Sequence, residues 1–567
     1  MKKFAMFALT LAIVLSIVLT GCAPAEEAAP AETVEEEATV EETAEETAEE
    51  TVVEAGPVVF DWNIGADPKT IDPGLNGASD GGDVINQTFE GLVREKSGVV
   101  QPGIAEDWKV SDDGLVVTFF LRESNWSDGS PLTANDFVYS WLRAMDPATA
   151  SEYSWLWDYT NVVGAADYAA GEGTAEDVGV SAPDDYTFEV TLSAPTDYFV
   201  SLMAFYHFKP VKQSAVEAAG GEEGTWASSP DLVVSNGPFK LVEYTIGEGL
   251  KLVKNDEYWN ADTVMIDEIY GKFIDDENTA YQAYESGELD FIPSVPTAEI
   301  PRLIAEDPNF YVFPLLGTYY YNFNMDLPLW EDARVRRALA LSIDRQVIVD
   351  TLASGQVPAA GFVPPGFLDD KGNDFFETAG TFGLFADDSG YEEAKALMEE
   401  AGYPNGEGFP EFTILYNTSE GHQTVAELVQ EMWKTNLGLE SKLENQEWAV
   451  FQDTRTAGDY EVARGGWLTD FMDPSGMLAI FQEGNAYNDP NYYNEDFEAA
   501  MAVAGSTTDK AEHFAKLYEA QEIFIDDMPI VPVYHYSDTM LVSPSVVGWD
   551  RSVLGTLDFS TANVVAE

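Results

Sequence analysis

Gly77-Ala78-Ser79-Asp80-Gly81 is the stretch of this 567-residue chain that carries the spacing of a serine nucleophile. In a Gly-x-Ser-x-Gly elbow the serine needs a strand ahead of it and a helix behind, so that a sharp turn holds its hydroxyl out. Here Asp72-Pro73-Gly74-Leu75-Asn76 comes first, which reads as loop. The sequence therefore predicts a Gly/Ser/Asp loop over 77–81, and an esterase reading rests on Ser79 alone. Metal chemistry has as little support. His207, His422, His513 and His535 are the four histidines, and none belongs to a His-Glu-x-x-His pair. Asp275-Asp276-Glu277 and Asp526-Asp527 lack the glycine-punctuated spacing of a calcium loop. No Walker or dinucleotide glycine loop occurs. Neither a metal nor a cofactor is expected, and the chain is not read as an enzyme.

The single cysteine, Cys22, rules out an intrachain disulfide. It follows Lys2, Lys3 and an apolar run from Phe4 to Val18, the pattern of a secretory signal too short for a membrane span. The ending Leu19-Thr20-Gly21-Cys22 resembles a bacterial lipobox. That resemblance implies cleavage before Cys22 and lipidation of its thiol and new amine. Residues 23–56 follow with thirteen Glu and no Lys, Arg or aromatic residue. Such a segment buries too little apolar surface to offset its ordering entropy, and its like charges keep it extended. It reads as an acidic disordered tether. Of the net charge of −73, the tether carries −13 and the signal +2, leaving −62 on residues 57–567. That charge argues against nucleic acid and anionic lipid as partners. It permits cationic ligands, and it equally suits a salty habitat where screening relieves self-repulsion.

The elements that must position any site mix strand and helix, and the class is α/β or α+β. Leu115–Leu121 and Tyr186–Leu192 are β-rich, with turns at Asp113-Gly114 and Asp184-Asp185 ahead of them. Thr133 to Asp136 predicts a capping-box helix start, with Val138, Trp141, Leu142 and Met145 on one face and Pro147 as the stop. Phe514, Leu517, Tyr518 and Phe524 predict one side of a helix that Pro529 ends. Ile530–Tyr534 reads as a buried strand that Pro532 keeps short or at an edge.

Several specific segments occur in order: Glu90-Gly91-Leu92; Asn125 to Trp141 (NWSDGSPLTANDFVYSW); Val234-Ser235-Asn236-Gly237-Pro238-Phe239; Asp332 to Leu339 (DARVRRAL) followed by Asp344-Arg345; and Asn445-Gln446-Glu447-Trp448 leading to Ala463 to Asp470 (ARGGWLTD). Together they resemble the oligopeptide-binding lipoproteins of bacterial peptide ABC importers, solute-binding protein family 5, over nearly all of 57–567.

The resemblance implies an α/β periplasmic-binding-protein fold: a two-lobed, class II venus-flytrap clamp with an additional third domain. Residues 57–89, 213–317 and 538–567 would form lobe I, 90–212 the extra domain, and 318–537 lobe II. It implies an oligopeptide held extended between the lobes by main-chain hydrogen bonds, with side chains in hydrated pockets. Residue by residue, Asp470 matches the carboxylate for the peptide's α-ammonium, and Gly466, Trp467 and Leu468 a peptide-pairing strand, with Ala78 and Ser79 opposite. Trp448 and Trp467 match pocket walls, and either also suits a core. Asn417 and His422 match polar pocket residues. Arg455 and Arg464 match groups for the peptide's carboxyl end, with a structural ion pair as the alternative. Tyr153 matches a backbone contact. Three departures stand out. Gly77 replaces a glutamate, Gly317 and Leu468 together replace a cysteine pair, and no lysine stands near Asn324 to Leu327. The implied partners are oligopeptides, the importer's permease and ATPase, and the outer face of the cell membrane through Cys22, with a monomeric body. The same fold with a nickel complex, haem or an oligosaccharide as cargo remains open, as does a signalling or adhesion lipoprotein without a permease.

Overall fold

The computed structural model describes residues 56–97, 99–221 and 225–565, so the signal, Cys22 and the tether up to residue 55 lie outside the described residues. Its centre is an eleven-stranded sheet. The strands that matter here are β1 (Val59–Asn63), then β2 (Ala105–Val110), β3 (Val116–Leu121), β4 (Val180–Asp184) and β5 (Thr187–Thr191) of a separate sheet. β6 (Phe239–Thr245), β7 (Gly249–Lys254), β8 (Glu268–Lys272), β9 (Phe291–Ile292), β10 (Phe310–Phe323) and β11 (Val357–Pro358) follow. The last are β12 (Phe412–Asn417), β13 (Ser441–Gln446), β14 (Val462–Leu468) and β15 (Ile530–Val542). In the large sheet the order is β6-β7-β8-β1-β9-β15-β10-β14-β12-β13, with β11 beside β15.

β10 and β15 join the two halves of this sheet. They run antiparallel from Phe310 opposite Leu541 to Asn322 opposite Ile530. The last residues of β15 pair with β9, which lies beside β1, and the second half of β10 pairs with β14. Midway the ladder slips, between Pro314 opposite Ser537 and Thr318 opposite His535. A bulge with a proline, which donates no backbone hydrogen bond, is where two long strands bend most easily. The expectation for Ile530–Tyr534 needs correction here. β15 is thirteen residues long and central, not short and not an edge. Pro532 is accommodated because a second slip, between Tyr319 and Tyr320, places it at a bulge, and its carbonyl accepts from Arg345 Nε at 2.9 Å.

The smaller sheet has the order β2-β3-β5-β4. Both β-rich segments expected from sequence are in it, paired antiparallel with Phe119 opposite Phe188. Three helices need naming at this point: α1 (Ser79–Thr88), α2 (Ala134–Met145) and α3 (Glu277–Glu285). α2 has the capping box anticipated at Thr133 and Asp136, with the Thr133 N–H donating to Asp136 Oδ2 at 2.7 Å. Its apolar face is turned one residue from the expected one. Phe137 and Trp141 are buried against Phe188, with ring centroids at 5.8 and 4.9 Å, while Val138 and Leu142 are half-buried.

The predicted loop over 77–81 also needs correction. Ser79 to Gly81 form the first turn of α1, with no strand ahead of them. Gly81 and Gly82 serve close approach rather than a turn. A Cβ on Gly81 would lie 2.6 Å from the Thr70 carbonyl, and one on Gly82 2.7 Å from the Tyr206 ring.

Three further helices complete the frame: α4 (Glu420–Leu437), α5 (Trp448–Thr456) and α6 (Lys510–Asp527). α6 buries Leu517, Ala520, Gln521, Phe524 and Ile525, with Phe514 and Tyr518 half-buried at its margin. His513 on α6 bonds Asp473 Oδ2 through Nε2 at 3.0 Å and the Ala504 carbonyl through Nδ1 at 2.8 Å. Burial opposes the imidazolium, yet the hydrogen bond and charge of Asp473 outweigh it and raise the pKa above 6.5. A raised folded-state pKa gives stability that is whole below the unfolded value and lost as pH rises through the folded one. The difference in melting temperature between wild type and His513→Gln should therefore be largest near pH 5.5 and shrink by pH 8.5. A difference independent of pH would show that His513 is neutral in the fold.

Candidate functional site

A cavity of about 410 Å3 lies where the two halves of the main sheet meet. One wall is the loop and first turns of α1. The other is the end of β14 and the segment to Asp470, with Trp448, Gln452 and Arg455 of α5. Glu152, Tyr153, Phe205, Tyr206 and Tyr487 close one end. Ten of the twelve ligand-site residues expected from sequence line it: Ala78, Ser79, Tyr153, Trp448, Arg455, Arg464, Gly466, Trp467, Leu468 and Asp470. Asn417 and His422 do not. Asn417 ends β12 with its Oδ1 buried and unpartnered, and the His422 ring stands 5.5 Å from Tyr319. Desolvation first and the Arg464 charge second push the His422 pKa well below the usual value, so that imidazole is neutral and offers no charge to a ligand.

β14 supplies backbone as well as side chains. One edge pairs with β10 from Val462 through Leu468. The other pairs with β12 only at Val462 and Ala463. From Arg464 to Leu468 that second edge has no strand partner among the described residues, which leaves an extended ligand room to add a strand. Gly466 leaves room for the Tyr536 hydroxyl, which a Cβ there would displace. Trp467 is both wall and core. Its ring is 4.9 Å from Tyr487, and its Nε1 donates to the Gly476 carbonyl at 2.8 Å. Trp448 opens α5 and stacks on Phe451 at 6.0 Å.

Asp470 stands two residues past this strand. Its Oδ1 accepts from the Tyr153 hydroxyl at 3.2 Å, while its Oδ2 is shut off from solvent and has no partner among the described residues. Burial pushes its pKa well above the usual carboxylate range, against the Tyr153 hydrogen bond. A desolvated carboxylate oxygen with no donor is unfavourable until a cation or donor arrives.

The two arginines, expected to act alike, differ. Arg455 Nε lies 2.8 Å from Asp489 Oδ2, and both side chains are nearly buried. Burial outweighs the opposing Arg455 charge and leaves the Asp489 pKa raised to about 6, and the 2.8 Å contact commits this arginine to a structural pair. Arg464 donates from Nη2 to the Tyr536 hydroxyl at 2.8 Å and lies 5.1 Å over the Tyr319 ring. Among the described residues its buried Nε has no partner and it forms no ion pair. It is a guanidinium available to an anion.

The departures noted in the sequence have structural counterparts. Gly317 and Leu468 are directly opposed across β10 and β14, and a Cβ on Gly317 would run into the Leu468 side chain. Glu152, which no motif marks, reaches the space that a Gly77 side chain would fill, together with the Tyr487 hydroxyl. Asn324 donates from Nδ2 to the Gly458 and Tyr460 carbonyls at 2.8 and 2.9 Å, which makes its segment a support. Glu152, Tyr206, Tyr487 and Asp489 were missed because only chain-distant packing brings them together. Ser79 forms no hydrogen bond with a histidine among the described residues, and no group of three or more His, Cys, Asp or Glu among them is placed to hold a metal.

Contacts also cross the cleft directly. Lys69 pairs with Asp453 at 2.8 Å, and the Ser419 hydroxyl donates to Glu277 Oε1 at 3.0 Å. Two halves joined by bending strands and closed over a cavity that both line describe a clamp for a solute. The chain belongs to the bacterial extracellular solute-binding proteins, family 5, whose middle region matches residues 99–489. It is 36% identical over 523 residues to the oligopeptide-binding protein OppA of Bacillus subtilis, covering 89% of this chain and 93% of that one. OppA of Haemophilus influenzae, solved in complex with RPPGFSPFR, superposes with a TM-score of 0.82 at 34% identity, over 90% of this chain and 100% of that one. The murein tripeptide binding protein MppA of Escherichia coli gives 0.83 at 33% identity, over 90% and 99%. The unliganded open form of MppA gives 0.60 at the same identity, over 90% and 98%. With the contacts across the cleft, that difference identifies the conformation here as closed.

Proposed function

We propose that this protein captures oligopeptides outside the cytoplasm and delivers them to the permease of an ABC importer, as a monomer and without chemistry. The observation that carries it is the unpartnered Asp470 Oδ2 at the end of the unpaired β14 edge. The carboxylate suits a peptide's α-ammonium and the edge suits its backbone. Arg464 is a fitting receiver for a carboxylate farther along. The related proteins are named for oligopeptides and a tripeptide, and one was solved with a nine-residue sequence in place.

The division into lobe I (57–89, 213–317, 538–567), extra domain (90–212) and lobe II (318–537) is supported by the sheets. β1 and β6–β9 fall in the first set, β2–β5 in the second and β12–β14 in the third. The bulge at Pro314–Thr318 and His535–Ser537 coincides with both crossings between lobes.

Native mass spectrometry of protein purified from cells tests the cargo. Peptides of mixed sequence are expected to co-purify. A nickel complex, haem or oligosaccharide bound instead would overturn the proposal. The anchor at Cys22 has its own test, since Leu19-Thr20-Gly21-Cys22 is its basis. Cys22→Ser should move the protein from the membrane fraction to the soluble one, as stable anchoring takes two or more acyl chains. Unchanged membrane retention would exclude lipidation. Among the described residues no helix is long and apolar enough to cross a membrane.

A further inference from the structure

The end of the cavity beside Asp470 holds a second carboxylate that the protein does not neutralise. Glu152 precedes Tyr153, the residue whose hydroxyl donates to Asp470. Glu152 Oε2 lies 3.5 Å from the Tyr487 hydroxyl oxygen, which itself donates to the Gly77 carbonyl at 3.2 Å. The room for this arrangement is the side chain that Gly77 lacks. A Cβ there would collide with Glu152 Oε2 and stand 2.6 Å from the Tyr487 hydroxyl. Among the described residues neither Glu152 nor Asp470 forms an ion pair, while the third carboxylate nearby, Asp489, has Arg455 at 2.8 Å. At this end three carboxylates share the Arg455 guanidinium, while the other guanidinium of the cavity, Arg464, is held against Tyr536 and Tyr319. An α-ammonium on Asp470 still leaves Glu152 in excess.

We infer that Glu152 is a specificity residue that selects peptides whose first residue carries a cationic side chain, and that Gly77 is the gap that admits its carboxylate. This rests on the peptide reading above, with Asp470 at the amine. With an uncharged first side chain, Glu152 stays half-buried in the closed cleft with a single weak contact, at 3.5 Å. A lysine or arginine side chain gives it a partner where the low dielectric strengthens the attraction. An acidic first residue meets like charges and is disfavoured.

Calorimetry on the whole protein tests this with Lys-Ala-Ala and norleucine-Ala-Ala, which differ in the side-chain charge, and with their N-acetylated forms. Wild type should prefer the lysine peptide by about tenfold. Glu152→Gln should shrink that preference to about twofold or less, by weakening Lys-Ala-Ala relative to norleucine-Ala-Ala. Gly77→Ala displaces the carboxylate without removing it and should shift the preference the same way. Equal wild-type affinities for the two free peptides, or a preference that survives both substitutions, would overturn the inference. The peptide reading fails separately, if acetylation leaves the affinity of either peptide unchanged.

Discussion

Asp470→Ala should weaken peptide binding by about 3–5 kcal/mol, the usual consequence of leaving one member of a buried charge pair alone. The partner left alone is the peptide's ammonium, closed in a dry cleft against Tyr153 and the walls around it. Asp470→Asn should fall between, since it keeps an acceptor and loses the charge. N-acetylation of the peptide should mimic Asp470→Ala, and combining the two should add little, because each removes the same interaction. Changes inside the peptide should matter less, as the free β14 edge and water serve any sequence. Titration calorimetry with a free and an acetylated tripeptide reads all of these. Equal affinities for the two would remove Asp470 from the site and reopen the non-peptide cargoes.

The second large effect is structural and lies under the opposite wall. Asp72 is fully buried, and it accepts from the Arg143 guanidinium at 3.0 and 2.8 Å, from Trp226 Nε1 at 2.9 Å and from the Gly74 N–H at 3.0 Å. It pins the loop that delivers Ala78 and Ser79 onto α2. Asp72→Ala strands the arginine in a low dielectric and should cost about 3–5 kcal/mol in urea unfolding. Adding Arg143→Met should cost little more, and can recover stability, because the uncompensated charge is then gone. Strict additivity of the two substitutions would show that they act independently and that the loop is held by its other contacts.

The capping box at Thr133, the strands at 116–121 and 187–191, and the long helix before Pro529 were legible because each is written in neighbouring residues. The ten expected residues that line the cavity were legible only through the resemblance of segments such as Ala463 to Asp470 to the family. Pro532 misled because a proline's position in a sheet depends on the partner strand's register, and the slip opposite Tyr319 and Tyr320 is invisible in one segment.

Charge compensation was out of reach of the sequence for the same reason. Arg455 and Arg464 are nine residues apart with similar surroundings in the chain. Only folding sets Asp489 beside the first and tyrosines around the second. Asn417 and His422 have suitable chemistry, but the cavity is walled without them. Glu152, Gly77 and Tyr487 are far apart in sequence, and their shared space exists only once the halves close. Amino-acid order by itself determined which backbone segments form, because propensity, capping and steric allowance act over a few residues, and only its resemblance to the family pointed to the polar groups proposed for a ligand. Tertiary structure decided which of those groups remain unpaired in the cleft, because Coulomb and desolvation energies depend on distances and burial that no local spacing encodes.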